Sequence, residues 1–72
     1  MKLYALPKGE VAEIKSVDSS EISARLADIG FYEGQMVEVL FHSPFGDPIA
    51  VRVGQSTVSL RKIEAELIEV NR

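Results

Sequence analysis

The side chains that could carry out catalysis are one histidine and seven serines. A hydrolytic triad needs an imidazole base beside a nucleophilic hydroxyl group, and His42 is the one histidine available. No serine lies in the G-x-S-x-G motif that exposes a nucleophile between a strand and a helix. The chain has no cysteine, which removes thiol catalysis and disulfides. These residues predict a protein that is not an enzyme.

Metal and phosphate binding are predicted to be absent as well. Zinc and iron sites usually need two or more His or Cys ligands, and this chain offers one histidine. His42 and Asp47 flank one loop, so a weak metal contact there is the alternative to an exposed histidine without a ligand. The segment "GFYEG" lacks the lysine of a phosphate-binding loop. We therefore expect no cofactor.

The charge balance argues against nucleic acid as a partner. Eight basic and eleven acidic residues give a net charge of −3 and a pI of about 5.0. Nucleic-acid-binding domains usually carry a basic stripe, whereas the lysines and arginines here are scattered along the chain. No run approaches the ~20 apolar residues of a membrane span, and the N-terminus does not resemble a signal peptide. We expect a soluble cytoplasmic protein that does not insert into membranes, with residues 1–72 forming one domain.

The segment "VDSSEISARLADIG" predicts the helix of this chain. Asp18 is the expected N-cap, because Glu21 follows at the spacing of a capping box. Apolar residues then recur at i, i+4 and i+7, which places them on one helical face. They are Ile22, Leu26 and Ile29.

The end of this helix is predicted at Gly30. A glycine just after an apolar stripe favours a left-handed C-cap, and Phe31 would then cover Leu26. The next four residues fit a type II turn, with Gly34 at the position that requires positive φ. Tyr32 opens that turn, so its ring should be more exposed than that of Phe31.

The rest of the chain predicts short strands. The alternating or apolar segments are residues 9–17, 35–42, 49–53, 56–60 and 66–70. Within the second segment, Val37, Val39 and Phe41 are expected on one face. About five short strands in a chain of this size favour closure into a barrel, because closure removes open sheet edges. The predicted fold is mainly β: a small SH3-like or OB-like barrel with one short α-helix inserted after the first strand.

Several apolar groups are not needed inside such a barrel. Small barrels often bind extended peptides through aromatic-lined grooves between loops. The residues predicted to contact another protein are Tyr32, Leu40, His42, Phe45 and Arg52. For Phe45, a role as an internal anchor of its loop and a role as a contact are equally well supported.

The order of motifs resembles the FeoA family of bacterial ferrous-iron uptake proteins. The resemblance begins with the helix end formed by Leu26, Ile29, Gly30 and Phe31, followed by Gly34 before a valine-rich strand. It continues through "GDP" at residues 46–48, "SLR" at 59–61, "EA" at 64–65 and the final apolar strand. The motifs cover nearly the whole chain in order. One departure is Glu33, where this family often has proline.

The resemblance implies an SH3-like β-barrel, a fold also found at the C-terminus of iron-dependent repressors. It implies a non-enzymatic accessory protein that binds and modulates FeoB, a GTP-binding membrane permease for ferrous iron. It does not imply that this chain binds iron. The alternative is an SH3-like regulatory module that binds an extended peptide of a soluble partner, and a nucleic-acid-binding barrel is a third possibility. Homo-oligomerisation stays open.

Overall fold

The computed structural model describes residues 1–72 as five β-strands, two short α-helices and one 3-10 turn. The 3-10 turn, η1, spans Leu3–Ala5. The helices are α1 (Ser23–Ile29) and α2 (Lys62–Ala65). The strands are β1 (Val11–Val17), β2 (Met36–His42), β3 (Ile49–Val53), β4 (Ser56–Leu60) and β5 (Ile68–Asn71).

All five strands belong to one antiparallel sheet with the order β4-β3-β2-β1-β5. The inner residues of every strand join a single cluster of 15 buried apolar side chains, so the sheet curls around one core. This confirms the predicted fold class, including the helix after the first strand. The ladder does not close completely, because β4 and β5 are not paired; α2 connects them in the chain.

The N-terminal residues contribute to the core in a way that the sequence did not indicate. Leu3, the first residue of η1, and Leu6, the residue that follows it, are completely buried. Their spacing of three residues matches one 3-10 turn, so both side chains fall on the same side. The N–H of Leu6 donates to the carbonyl of Leu3 at 3.0 Å. No element was predicted for Leu3–Ala5, because three residues are too few for a periodic signal.

The predicted N-cap of the helix is wrong. Helix α1 begins at Ser23, and the side chain that satisfies its first N–H groups belongs to Ser20. The Ser20 Oγ accepts from the backbone N–H of Ile22 at 3.1 Å and of Ser23 at 3.2 Å, and Ser23 Oγ accepts from the N–H of Ser20 at 2.9 Å. Asp18 instead follows directly after β1, where its N–H donates to the carbonyl of Leu67. The strand continues to Val17, which holds Asp18 in place and delays the helix.

The predicted apolar stripe of the helix is only partly buried. Leu26 is fully buried, whereas Ile22 is half-buried and Ile29 is 39% exposed. A helix of seven residues makes two turns, so one central side chain can reach the core while the flanking ones lie at its rim.

The end of α1 confirms the prediction made from glycine. Gly30 has φ of 130° and its N–H donates to the carbonyls of Ala27 and Leu26. The N–H of Phe31 donates to the carbonyl of Leu26 at 2.9 Å. The bonds from Gly30 to Ala27 and from Phe31 to Leu26 are the two bonds of a Schellman motif, and Phe31 is buried in the core. This glycine lets the chain turn directly from the helix toward β2.

The next turn is also as predicted. Gln35 N–H donates to the carbonyl of Tyr32 at 3.1 Å, and Gly34 has φ of 90°, as a type II turn requires. Tyr32 is 52% exposed, so it lies outside the core.

Candidate interaction surface

The five predicted contact residues lie in three different places on the molecule. Tyr32 precedes the N-terminal end of β2, whereas Phe45 lies beyond its C-terminal end. A strand of seven residues spans about 20 Å, so these two rings are at opposite ends of the barrel. Leu40 and His42 lie toward the Phe45 end, and Arg52 is in β3 on the outer face of the sheet. Leu40, His42 and Phe45 therefore lie at or beyond the C-terminal end of β2, and Tyr32 lies before its other end.

The loop that carries Phe45 is held by hydrogen bonds to two other parts of the chain. Tyr4 Oη donates to the carbonyl oxygen of Gly46 at 2.6 Å. Asp47 Oδ1 accepts from the backbone N–H of Lys62 at 3.0 Å and lies 3.6 Å from Nε of Arg61. The bond between Asp47 and Pro48 is cis. These contacts attach the loop to η1 on one side and to the start of α2 on the other.

The ring of Tyr4, whose hydroxyl group bonds to this loop, also contacts two further side chains. The ring of His42 meets it edge-on, with centroids 5.6 Å apart and an interplanar angle of 86°. Lys62 Nζ lies 5.1 Å from the centre of the Tyr4 ring, within the range of a cation–π contact. We call Tyr4, His42, Asp47, Arg61 and Lys62 the loop support. Tyr4 was not singled out from the sequence, because its three partners, Gly46, His42 and Lys62, lie about forty residues or more away.

The loop support does not bury the side chain of Phe45. Its side chain is 98% exposed, the most exposed of the large apolar residues in the chain. A side chain that anchored the loop internally would be buried, so the exposure of Phe45 excludes the role of internal anchor. An aromatic ring presented to solvent by a loop with fixed ends is the arrangement expected of a contact with another molecule.

A bulge in β2 places a further aromatic ring on the outside. The register between β2 and β3 shifts between Val39 and Phe41, which makes Leu40 an extra residue. An extra residue reverses which side chains face inward, so Phe41 is 52% exposed although it was predicted inside with Val37 and Val39. Leu40 is half-buried. Alternation along the strand could not reveal this, since a bulge leaves no necessary mark in the sequence.

Arg52 is paired with a carboxylate. It lies opposite Glu38 of β2, and its Nη1 is 2.9 Å from Oε1 of Glu38. Both side chains are on the outer face, where such pairs contribute about 0–1 kcal/mol to stability. Arg52 is still 52% exposed as a side chain, so the pairing leaves part of the guanidinium open to solvent.

Other apolar residues are exposed that the sequence analysis did not assign to a surface site. Ile63 in α2 is 61% exposed and follows Lys62 of the loop support directly. At the opposite end, Met36 and Ile29 are 48% and 39% exposed on either side of Tyr32 in the chain. The exposure of Ile63 could not be predicted, because α2 has four residues and is too short for a periodic pattern to show which side chain faces outward.

Two ionisable groups have shifted pKa values, and both lie beside β5 rather than at the loop. The Asp18 carboxylate accepts from Lys2 Nζ at 3.3 Å, and this hydrogen bond raises the pKa of Lys2. The Met1 ammonium donates to Glu69 Oε2 at 2.7 Å, and this hydrogen bond lowers the pKa of Glu69. Both are exposed ion pairs: one attaches Met1 to β5, and the other attaches Lys2 to Asp18 at the end of β1.

The chain presents no cluster of metal ligands and no enclosed cavity. No group of three or more His, Asp or Glu side chains converges on a point. His42 and Asp47, the pair considered above, have their contacts to Tyr4 and to Arg61 and Lys62 respectively. No helix is long and apolar enough to cross a membrane.

Comparison with known protein families identifies the family of this chain. The family model described as "FeoA domain" matches residues 1–72. The chain belongs to the FeoA domain family. That family is associated with ferrous iron transport, and this confirms the resemblance seen in the motifs.

Similar proteins support this assignment. The chain is 34% identical over 71 residues to a "Fe(2+) transport protein A/Fe(2+) transporter FeoB fusion protein" of Porphyromonas gingivalis, covering 97% of this chain and 8% of that protein. It therefore spans a small part of the length of that relative.

Solved structures agree on the fold. Iron(II) transport protein A from Clostridium thermocellum is 42% identical with a TM-score of 0.91, over 97% of this chain and 44% of that one. FeoA from Stenotrophomonas maltophilia, solved in complex with zinc and described as a prokaryotic SH3 domain protein, is 33% identical with a TM-score of 0.88, over 99% and 89% of the two chains. A manganese-dependent transcriptional repressor, at 24% identity and a TM-score of 0.88, shares the fold.

Proposed function

We propose that this FeoA domain is a non-enzymatic accessory protein that binds a FeoB-type ferrous-iron permease from its cytoplasmic side and modulates transport. The observation that carries the proposal is the fusion relative, in which a domain 34% identical to this chain is part of the same polypeptide as an Fe(2+) transporter. Two domains joined in one chain are held at high effective concentration, which favours a functional contact between them. When the domains are separate proteins, the same contact must come from their surfaces.

The surface proposed for this contact is the loop end of the barrel. It combines the exposed ring of Phe45 with His42 and Leu40. Binding energy at protein interfaces is concentrated in a few side chains, and large aromatic residues are frequent among them. The loop support fixes the ends of the loop before binding, so less conformational freedom is lost on association. Tyr32 and Arg52 are proposed as secondary contacts.

The test is co-purification of this chain with a detergent-solubilised FeoB-type permease. We expect Phe45→Ala to weaken the complex about tenfold or more, which is the effect expected of a central aromatic contact. Folding should be unaffected, because the side chain is 98% exposed. Tyr32→Ala examines the opposite end of the barrel separately. Ile29→Ala, a truncation of a partly exposed apolar residue of α1 at the end opposite Phe45, serves as the control for Phe45→Ala.

Three outcomes distinguish an incorrect surface, an incorrect function and a different partner. If the parent chain binds and both Phe45→Ala and Tyr32→Ala bind equally well, the proposed surface is wrong. If the parent chain does not bind the permease, the proposed function is wrong. A specific partner recovered from cytosol that lacks the permease would instead favour a regulatory module that recognises a soluble protein.

A further inference from the structure

The two edge strands of the sheet differ in whether their outer edges are covered by another part of the chain. The outer edge of β5 is covered by the N-terminal residues: Val70 N–H donates to the carbonyl of Met1 at 2.8 Å, and Lys2 forms a bridge with Glu69. The outer edge of β4 has no neighbouring strand. One edge is therefore closed by the chain itself and the other is left open.

Strand β4 also lacks the features that usually protect an open edge. Natural sheets protect edges with charged residues, prolines or bulges. The five residues of β4 are uncharged and contain no proline, and their pairing with β3 runs without a shift in register. Ser56, Thr57 and Ser59 are exposed. The strand is therefore a regular template onto which another extended chain could pair.

The hairpin geometry identifies the backbone groups that point outward. Val53 pairs with Ser56 across the two-residue turn at Gly54 and Gln55, and Gly54 has φ of 58°. In such hairpins the pair that closes the turn is hydrogen-bonded, and bonded pairs then alternate with non-bonded ones. Ser56 therefore directs its backbone groups toward β3, whereas Thr57 and Ser59 direct their N–H and C=O groups away from the sheet. No backbone group outside the strands bonds to either.

The charge around this hairpin differs in sign from that of the whole protein. Residues 48–62 contain Arg52, Arg61 and Lys62 and no acidic residue, a net side-chain charge of +3. The rest of the chain holds five basic and eleven acidic residues, a net charge of −6. Arg61, which follows β4 directly, is 72% exposed as a side chain although it lies near Asp47. A guanidinium has five N–H donors, so Arg61 can bind a second carboxylate.

We propose that the outer edge of β4 binds an extended, acidic segment of the FeoB-type partner, which adds to the sheet as a sixth strand with a carboxylate at Arg61. The inference rests on the proposed function for the identity of the partner. A second copy of this chain is disfavoured as the occupant, because pairing β4 with β4 would place two hairpins of net charge +3 side by side. A peptide fits better than a nucleic acid, since outward N–H and C=O groups that repeat every second residue match a peptide backbone.

The experiment uses the intact chain with the detergent-solubilised permease. Ser59→Pro removes one outward N–H, and Ser59→Ala changes the same side chain while keeping that N–H. We expect Ser59→Pro to weaken binding about three- to tenfold, the effect of one backbone hydrogen bond, and Ser59→Ala to leave binding unchanged. Arg61→Glu should weaken binding and reduce its salt dependence, while Lys8→Glu, an exposed change of charge before β1, should have a smaller effect.

Amide hydrogen exchange of the unmodified chain provides a measurement that does not depend on any variant folding. In the complex, exchange at the N–H groups of Thr57 and Ser59 should slow markedly. A complex in which these two amides exchange as fast as in the free chain would overturn the inference but leave the proposed function standing. Absence of any complex would overturn both. Binding of a single-stranded oligonucleotide that protects the same amides, with none by the permease, would assign the edge to nucleic acid instead.

Discussion

Replacing Gly30 tests the turn that joins α1 to β2. Gly30 has φ of 130° and ψ of 3°, a conformation that L-residues rarely adopt. A Cβ atom added there would lie 3.6 Å from Cγ2 of Val53, which is an ordinary contact. The effect of Gly30→Ala should therefore come from backbone strain rather than from crowding.

The magnitude follows from two opposing contributions. A side chain held at positive φ costs about 1–3 kcal/mol. Loss of glycine from the unfolded chain offsets about 0.4–1 kcal/mol of this. We expect Gly30→Ala to lower the free energy of unfolding by about 1–2 kcal/mol, and Gly30→Val by more, because β-branching makes this backbone conformation harder still.

Urea denaturation and thermal melting, both followed by circular dichroism, measure this change. For a chain of this size, 1 kcal/mol corresponds to a shift in Tm of about 4–8 °C. Gly9→Ala is a matched control, since Gly9 also has positive φ (85°) and an added Cβ would meet nothing within 4 Å. It should lose stability through strain alone, to a similar extent. If Gly30→Ala melts at the temperature of the parent, the Schellman assignment and the strain argument are both wrong.

Three further predictions concern the loop, helix α2 and strand β5. Gly46→Ala should destabilise the fold, because the new Cβ would lie 2.8 Å from Oη of Tyr4, and thermal melting in a Tyr4→Phe background should show a smaller loss. Glu64→Ala should lower the free energy of unfolding in urea by about 1–2 kcal/mol, since this buried carboxylate accepts from the Arg61 N–H at 2.8 Å, whereas Glu64→Gln should lose less. The lowered pKa of Glu69 predicts that Glu69→Gln is less stable than the parent at about pH 7, and that the difference is smaller at about pH 3, below the ordinary Glu pKa of about 4.3, because the carboxylate is being protonated. Equal stability differences at both pH values would contradict this last prediction.

Local features of the sequence were sufficient for the helix end and for the strands. Gly30 and Gly34 each occupy a position where the chain needs positive φ, and few other residues tolerate it, so their positions alone predict the turns. The alternation of Ile49, Val51 and Val53 predicted β3 and its buried face correctly. Both signals depend on residues within a few positions of each other, which is why a single sequence reveals them.

Contacts between distant segments were decided only by the tertiary structure. The bulge at Leu40 turned Phe41 outward, and the continuation of β1 to Val17 leaves Ser20 rather than Asp18 as the side chain that accepts hydrogen bonds at the start of the helix. Tyr32 and Phe45 were correctly predicted to lie outside the core. The sequence did not indicate how far apart they lie.

The sequence by itself determined the composition, the turns and the family of this protein, because these depend on residue type and on order along the chain. The tertiary structure decided which strand edge is open and which is covered, and how Tyr4 supports a loop about forty residues away. The physical reason is that an edge or a support exists only once separate segments have been brought together around one core. Pairing between such segments depends on the packing of the whole chain, and no local pattern in the sequence encodes it.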